Sequence, residues 1–145
     1  DMRYLGIFIK SAMHFKCSLD NAKQSFFRSF NAVYGKIGVF AKDELLIQLV
    51  KSKCLPSLLY ATEALPLSKA DINSLEFTFN RILFKIFKTS SIDVILDICL
   101  YFNLSSIDNL IISRKYRFLN KMLNSCNILC ASCNEMVMSE CKLNL

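Results

Sequence analysis

The sequence predicts a mostly α-helical bundle that begins with a short N-terminal β-strand or hairpin. Hydrophobic residues make up 53% of the 145 residues, whereas the chain has only 3 Gly and 2 Pro. Apolar residues recur at helical spacing through most of the chain after Ser18. In front of them, the apolar stretch Arg3–Ile9 is typical of a short buried strand. One domain, or one folded piece of a larger protein, is expected at this length.

The predicted strand contains Gly6, and residues 11–16 are expected to turn the chain into a second short strand. A glycine inside an apolar strand marks the close approach of a backbone or ligand, or else a bulge or tight packing. These alternatives stay open. Residues 1–17 are therefore predicted to form a β element in front of a helical domain over residues 18–124.

The first helix is predicted from Leu19 to about Tyr34, with Ser18 as its N-cap and two glycines, Gly35 and Gly38, at its end. One face of this helix is apolar, through Leu19, Ala22, Phe26, Phe30 and Val33. A second helix is predicted from about Ala41, and its apolar residues point in all directions, which is typical of a central, buried helix. Pro56 is expected to kink or interrupt it.

The best-patterned helix follows Ser68, which forms a predicted capping box with Asp71, and runs to about Lys88. Its inward face carries Ile72, Leu75, Phe79, Ile82, Leu83 and Ile86, and its outward face carries Arg81, Lys85 and Lys88, with Phe77 and Phe84 beside them.

Residues 89–103 predict a short helix or a pair of loops. A further helix is predicted from after Ser105 or Ser106 to about Asn124, with Arg114, Arg117 and Lys121 in a stripe along the edge of its apolar face. Residues 125–145 are predicted to be a weakly structured tail that contains cysteines.

The positive charge is unevenly distributed along the chain. Residues 1–88 hold 13 Lys and Arg against 7 Asp and Glu, whereas residues 89–145 hold 5 of each, so the net charge of +6 arises entirely in the first part. Such asymmetry indicates a polyanionic partner, nucleic acid before membrane lipid, and a solubilising surface is the alternative that a net charge of +6 leaves open. Cations that recur on a helix face can follow phosphates, and interleaved aromatics can stack on bases. The alternative is that these charges only solvate the outer faces of amphipathic helices.

Seven cysteines and no recognisable secretion signal predict an intracellular protein, nuclear or cytoplasmic and not secreted, with free thiols. Cys126, Cys130, Cys133 and Cys141 are weak candidates for a zinc site, because their spacing matches no standard finger and free or core thiols are favoured. The chain shows no pair of metal-binding aspartates, no Gly-rich phosphate loop and no Ser/His/Asp set. Neither His14 nor any other residue is therefore assigned a catalytic role.

Several ordered blocks resemble the C-terminal part of reverse transcriptases of non-LTR (LINE-type) retrotransposons. The blocks are Arg3-Tyr4-Leu5-Gly6-Ile7, Cys17-Ser18-Leu19-Asp20-Asn21-Ala22-Lys23, Ser29-Phe30-Asn31-Ala32, Lys51-Ser52-Lys53-Cys54-Leu55-Pro56, Leu59-Tyr60-Ala61-Thr62-Glu63-Ala64 and Leu75-Glu76-Phe77. The resemblance covers about residues 3–124. It implies a primer-grip hairpin followed by a thumb that holds the template–primer duplex.

By this resemblance, Tyr4, Leu5 and Gly6 help to position the primer 3′ end. It also implies that contacts to the nucleic-acid backbone come from among Lys23, Arg28, Lys51, Lys53, Arg81, Lys85 and Lys88. The stripe on the last predicted helix adds Arg114, Arg117 and Lys121 as candidates. The expected partners are an RNA–DNA or DNA duplex and the palm and fingers of a parent chain, without a membrane.

The palm, with its metal-binding aspartates, is missing from the resemblance. The chain is therefore expected to be a C-terminal fragment that does not polymerise alone and holds no cofactor, the Mg²⁺ belonging to the parent polymerase. An alternative function is a non-catalytic helical module that docks on a protein through apolar surface. The mean hydropathy of +0.34 and the apolar second helix favour this alternative.

Overall fold

The computed structural model describes residues 2–13, 15–38 and 40–143, with side chains as far as Glu140. His14 therefore lies outside the described residues, as does the side chain of Cys141. A small antiparallel sheet precedes a set of packed helices, which confirms the predicted fold class. The elements are β1 (Met2–Tyr4), β2 (Ile7–Lys10), β3 (Lys16–Ser18), α1 (Asp20–Ile37), α2 (Asp43–Leu49), a π-helical segment (Val50–Cys54), α3 (Leu55–Leu58), α4 (Lys69–Phe87), α5 (Ile92–Tyr101), α6 (Ile107–Leu123), α7 (Ile128–Ser132) and α8 (Asn134–Leu143).

The prediction of one buried strand over Arg3–Ile9 is wrong, because the chain reverses in the middle of it. β1 and β2 pair antiparallel around a two-residue turn, in which Leu5 has φ 46° and Gly6 has φ 82°. Positive φ at both central residues is the type I′ geometry that matches the twist of a hairpin. Leu-Gly lacks the Asn or Asp that usually signals this turn, so the turn was not predicted at this position. β1 is also exposed rather than buried.

The return strand is β3, which pairs with the other side of β2 and gives the sheet the order β1-β2-β3. It begins at Lys16, so the predicted stretch 11–16 is mostly connection. Ser18 lies in β3 and precedes the actual N-cap, Leu19. The Ser18 hydroxyl donates to the Asp20 carboxylate at 2.7 Å and accepts the Asp20 N–H at 3.3 Å, so it contacts the first helical residue from outside the N-cap position.

Helix α1 continues through Gly35 and ends at Ile37, three residues later than predicted, with Gly38 as its C-cap. A Cβ on Gly38 would lie 2.5 Å from the Tyr34 carbonyl oxygen, so the close approach of the backbone explains the glycine at this end. The predicted apolar face is confirmed by Phe26 and Phe30, which are fully buried.

The predicted second helix is divided into three parts. A π-helical segment, Val50–Cys54, separates α2 from α3, and the N–H of Leu55 donates to the Val50 carbonyl five residues earlier. Pro56 lies in the first turn of α3, directly after the π-helical segment, and has no N–H to donate to a carbonyl of that segment. This arrangement confirms the expected interruption. Buried residues of this region (Leu46, Ile47, Val50, Cys54, Leu58 and Leu59) form the centre of the core, although Leu45 is exposed.

Helix α4 begins with the predicted capping box. The Asp71 N–H donates to the Ser68 hydroxyl at 3.2 Å, and the Ser68 N–H donates to the Asp71 carboxylate at 3.0 Å. The inward face packs as expected, with Leu75, Phe79, Ile82, Leu83 and Ile86 buried and Ile72 partly buried. Lys88, with φ 49°, ends the helix in the left-handed conformation.

The C-terminal part is more regular than the sequence predicts. Residues 89–103 hold one helix, α5, and α6 begins after Ser106, whose hydroxyl accepts from the Asn109 N–H. The tail forms α7 and α8 rather than a weakly structured segment, and α8 packs against α6 with Val137 buried. The tail's weak apolar pattern concealed this contact, since few of its residues are buried. Within the described residues, no helix is both long and apolar enough to span a bilayer.

Candidate nucleic-acid interface

A groove of about 450 Å³ lies between the N-terminal hairpin, the first half of α1 and the segment that follows α3. Its walls carry two cations, Arg3 and Arg28, together with polar side chains and two aromatic rings. The residues that shape its chemistry are Arg3, Phe8, Gln24, Ser25, Arg28 and Tyr60. The guanidinium of Arg3 lies 5.8 Å from the centre of the Phe8 ring, a cation–π distance that keeps Arg3 over the sheet.

Tyr60 holds the hairpin turn against the helices. Its hydroxyl donates a hydrogen bond of 3.1 Å to the Leu5 carbonyl oxygen. A Cβ placed on Gly6 would lie 3.4 Å from Cε1 of Tyr60, so the ring passes close to the turn. The side chains of Tyr4 and Leu5 are 60% and 71% exposed, respectively. Two predicted residues therefore project from the tip of the hairpin, while the third, Gly6, lines the groove.

Arg3 and Tyr60 complete this groove, yet the sequence did not mark them as site residues. Both belong to the blocks that carry the family resemblance, and this membership was the signal that could have identified them as site residues. Nothing in local periodicity indicates that two segments 55 residues apart meet here.

A second group of cations lies along the seam between α4 and α1. Arg81 lies 5.9 Å from the centre of the Phe27 ring. The Lys85 ammonium donates to the Asn31 side-chain oxygen at 3.1 Å and lies 5.2 Å from the Tyr34 ring centre. Both remain exposed, so α1 orients them without removing them from solvent. Lys88 is exposed at the end of α4.

Two predicted binding lysines make hydrogen bonds within the fold. The Lys23 ammonium donates to the Ser74 hydroxyl at 2.7 Å and ties α1 to α4. The Lys51 ammonium donates to the carbonyl oxygens of Phe102 and Asn103, at 3.0 and 3.4 Å, just after α5 ends. A cation beside the last carbonyls of a helix stabilises its C-terminus. Lys53 is exposed on the π-helical segment.

The stripe on α6 lines a separate cleft of about 420 Å³ that contains Arg114, Arg117 and Lys121. Arg114 Nε lies 3.5 Å from a carboxylate oxygen of Glu63, and that oxygen is buried and accepts no hydrogen bond. The ion pair neutralises much of the Arg114 charge. Arg117 Nε donates to the Ser113 carbonyl within its own helix, at 3.3 Å. Lys121 is exposed at the rim.

Glu76 sets the position of α6 relative to α4. Its carboxylate accepts the N–H of Ile107, the first residue of α6, at 2.7 Å. Burial raises the pKa of Glu76, the Ile107 hydrogen bond opposes this shift, and the charge of Asp108 adds to it. The position of the α6 cations therefore depends on a partly buried carboxyl group.

The cysteine side chains that the structure describes form no metal site: no three of its described His, Cys, Asp or Glu side chains converge on a common point. Cys126 is an exposed free thiol, and Cys130 and Cys133 are partly buried free thiols. The fourth weak candidate, Cys141, has its side chain outside the described residues.

Most of the predicted cations thus separate into three groups, at the hairpin groove, along the α1–α4 seam and in the α6 cleft. Lys23 and Lys51 hydrogen-bond within the fold, and Lys53 stands apart on the π-helical segment. The hairpin groove combines two arginines with a positive-φ turn and exposed aromatic rings. Comparisons of this chain with family models, with curated proteins and with solved structures find no match.

Proposed function

We propose that this chain is the primer-grip and thumb part of a non-LTR retrotransposon reverse transcriptase, and that it holds template–primer duplex at the hairpin groove. One observation carries the proposal. Two of the blocks that resemble the family, Tyr4-Leu5-Gly6 and Leu59–Glu63, meet in space through the hydrogen bond from the Tyr60 hydroxyl to the Leu5 carbonyl. They meet beside a groove that holds two arginines.

The proposed contacts follow from the chemistry of the groove. Arginine forks pair with phosphate oxygens, so Arg3 and Arg28 bind the nucleic-acid backbone without reading its sequence. Tyr4 and Leu5 offer exposed apolar surface at the tip of the hairpin, suited to a sugar or a terminal base. Polymerisation and its Mg²⁺ belong, in this proposal, to the palm of the parent chain.

Fluorescence anisotropy with a labelled RNA–DNA duplex across a salt series tests the proposal. Wild-type protein is compared with Arg28→Gln and with a matched control, Lys36→Gln, which removes an exposed cation from the last turn of the same helix. Each phosphate contact contributes about −0.9 to the slope of log affinity against log salt. Arg28→Gln should therefore weaken binding and make that slope shallower by about one.

The control should leave both the affinity and the slope close to those of the wild type. Equal effects of the two substitutions would show that binding follows net charge rather than the groove. Undetectable binding at low salt, or an affinity that does not change with salt, would overturn the proposal.

A further inference from the structure

The outer face of α5 is an apolar surface that no described part of the chain covers. Ile95, on the inner face, is 1% exposed and packs towards α4. On the outer side, Leu96, Leu100 and Tyr101 are 59%, 81% and 78% exposed. Apolar side chains that cluster on one exposed face mark an interaction surface more often than isolated ones do. The second helix, expected from the sequence to supply such a surface, is largely buried.

The same face is acidic. Asp93 and Asp97 are exposed one turn apart, beside a row formed by Leu96 and Leu100 at the same spacing. Between Lys88 and Arg114 the sequence contains three aspartates and no Lys or Arg. The surface is therefore opposite in charge to the groove at the hairpin and repels phosphate.

A groove of about 360 Å³ continues this face beyond the C-terminal end of α5. Glu44 and Tyr101 line it together with Phe102. The one cation in its lining, Lys51, already donates to the carbonyl oxygens of Phe102 and Asn103. The groove can accept an apolar side chain while Glu44 faces a cation beside it.

We propose that the outer face of α5 and this groove bind a cationic amphipathic helix of a protein partner. Such a helix places its apolar residues on Leu96 and Leu100, and its Lys or Arg residues opposite Asp93 and Asp97. Helix-in-groove recognition uses this combination of apolar anchors and flanking charge. The charge excludes nucleic acid and anionic lipid as favoured occupants, because both would meet the aspartates. This inference is independent of the nucleic-acid role.

Fluorescence anisotropy with two labelled amphipathic peptides of about 14 residues, or about four helical turns, tests the inference. Both peptides carry the same leucine face, one with Lys and the other with Glu on the polar face. The protein variants are Leu100→Ser, Asp97→Lys and a matched control, Leu129→Ser, which removes a leucine that is 75% exposed on α7. Because both leucines are on the surface, circular dichroism should show unchanged helix content in each variant.

The lysine peptide should bind the wild type, and Leu100→Ser should weaken it by about tenfold or more, as expected for an interface anchor. Asp97→Lys should weaken it as well, whereas Leu129→Ser should not. The glutamate peptide should bind much more weakly than the lysine peptide.

Absence of binding, equal binding of the two peptides, or equal effects of the two Ser substitutions would overturn the inference. If light scattering showed that the wild type is a dimer and that Leu100→Ser is a monomer, the face would instead bind a second copy of this chain, against the inference. If the wild type floated with anionic vesicles and Leu100→Ser did not, the face would instead bind a membrane, against the inference.

Discussion

The left-handed turn at the tip of the hairpin predicts that asparagine at position 5 gives a more stable protein than alanine. Leu5 has φ 46°, a conformation that costs an L-residue with an ordinary side chain about 1 to 2 kcal/mol. Asparagine tolerates this region because its side chain bonds to the nearby backbone, and Asn-Gly is the preferred pair in a type I′ turn. Comparing Leu5→Asn with Leu5→Ala isolates the free-energy cost of the positive φ at this position. Both variants lose the apolar side chain, but only the Ala variant keeps the backbone strain. Leu5→Asn should therefore be more stable than Leu5→Ala by about 1 kcal/mol.

Urea unfolding of both variants measures this difference, which corresponds to about 3 °C in Tm for a chain of this size. Because a hairpin can open separately from the core, hydrogen exchange of the β1–β2 amides provides a second readout, and protection there should be greater in Leu5→Asn. Equal stability and equal exchange of the two variants would refute the assignment of strain to Leu5. A hairpin less protected in the Asn variant would refute it as well.

The helix ends and the core give the remaining expected outcomes. Ser68→Ala removes the hydroxyl that caps α4 and should lower the free energy of unfolding by about 1 kcal/mol. The hydrogen bond from Ser68 lowers the pKa of Asp71, so the stabilisation is present above the ordinary carboxyl pKa and is lost as the pH falls through the lowered value. In Ser68→Ala the free energy of unfolding should therefore fall less than in wild type as the pH is lowered. Urea unfolding at several acidic pH values that shows the same fall in both proteins would contradict this. Burial raises the pKa of Glu76, so its contribution is present below the ordinary pKa and is lost as the pH rises through the raised value. As the pH rises through that value, the free energy of unfolding of Glu76→Gln should fall less than that of wild type. An equal fall in the two proteins would count against this. Phe26→Ala leaves a cavity in the core and should cost about 3 to 5 kcal/mol in urea unfolding, whereas a loss under about 1 kcal/mol would place Phe26 outside the core.

The helices were predictable where the signal was local. Helix α4 combines a capping box at Ser68 with an unbroken apolar stripe, and its bounds agree with the prediction within a residue. Helix α1 was predicted with its buried face correct and its end wrong, because Gly35 sits in a helix interior that tertiary packing stabilises. The π-helical segment has no sequence signature beyond the proline that follows it.

The candidate site was harder to predict because it depends on contacts between distant segments. The sequence pattern predicts that Lys23 and Lys51 lie on exposed helix faces. In the structure their ammonium groups donate to the Ser74 hydroxyl and to the carbonyl oxygens that follow α5. A sequence pattern shows that a cation lies near the surface but does not show which acceptor it reaches. The meeting of Leu5 and Tyr60 is likewise a tertiary contact, visible beforehand only as two blocks of one resemblance.

Photocrosslinking tests the central claim most directly. An RNA–DNA duplex with a photoreactive group at the primer 3′ end is irradiated with the protein, and mass spectrometry locates the modified residues. The proposed grip predicts crosslinks at the hairpin tip and groove, at Tyr4, Leu5 or Tyr60, and their loss in high salt. Crosslinks confined to α5, α7 or α8, or none at salt concentrations where the duplex is bound, would contradict it.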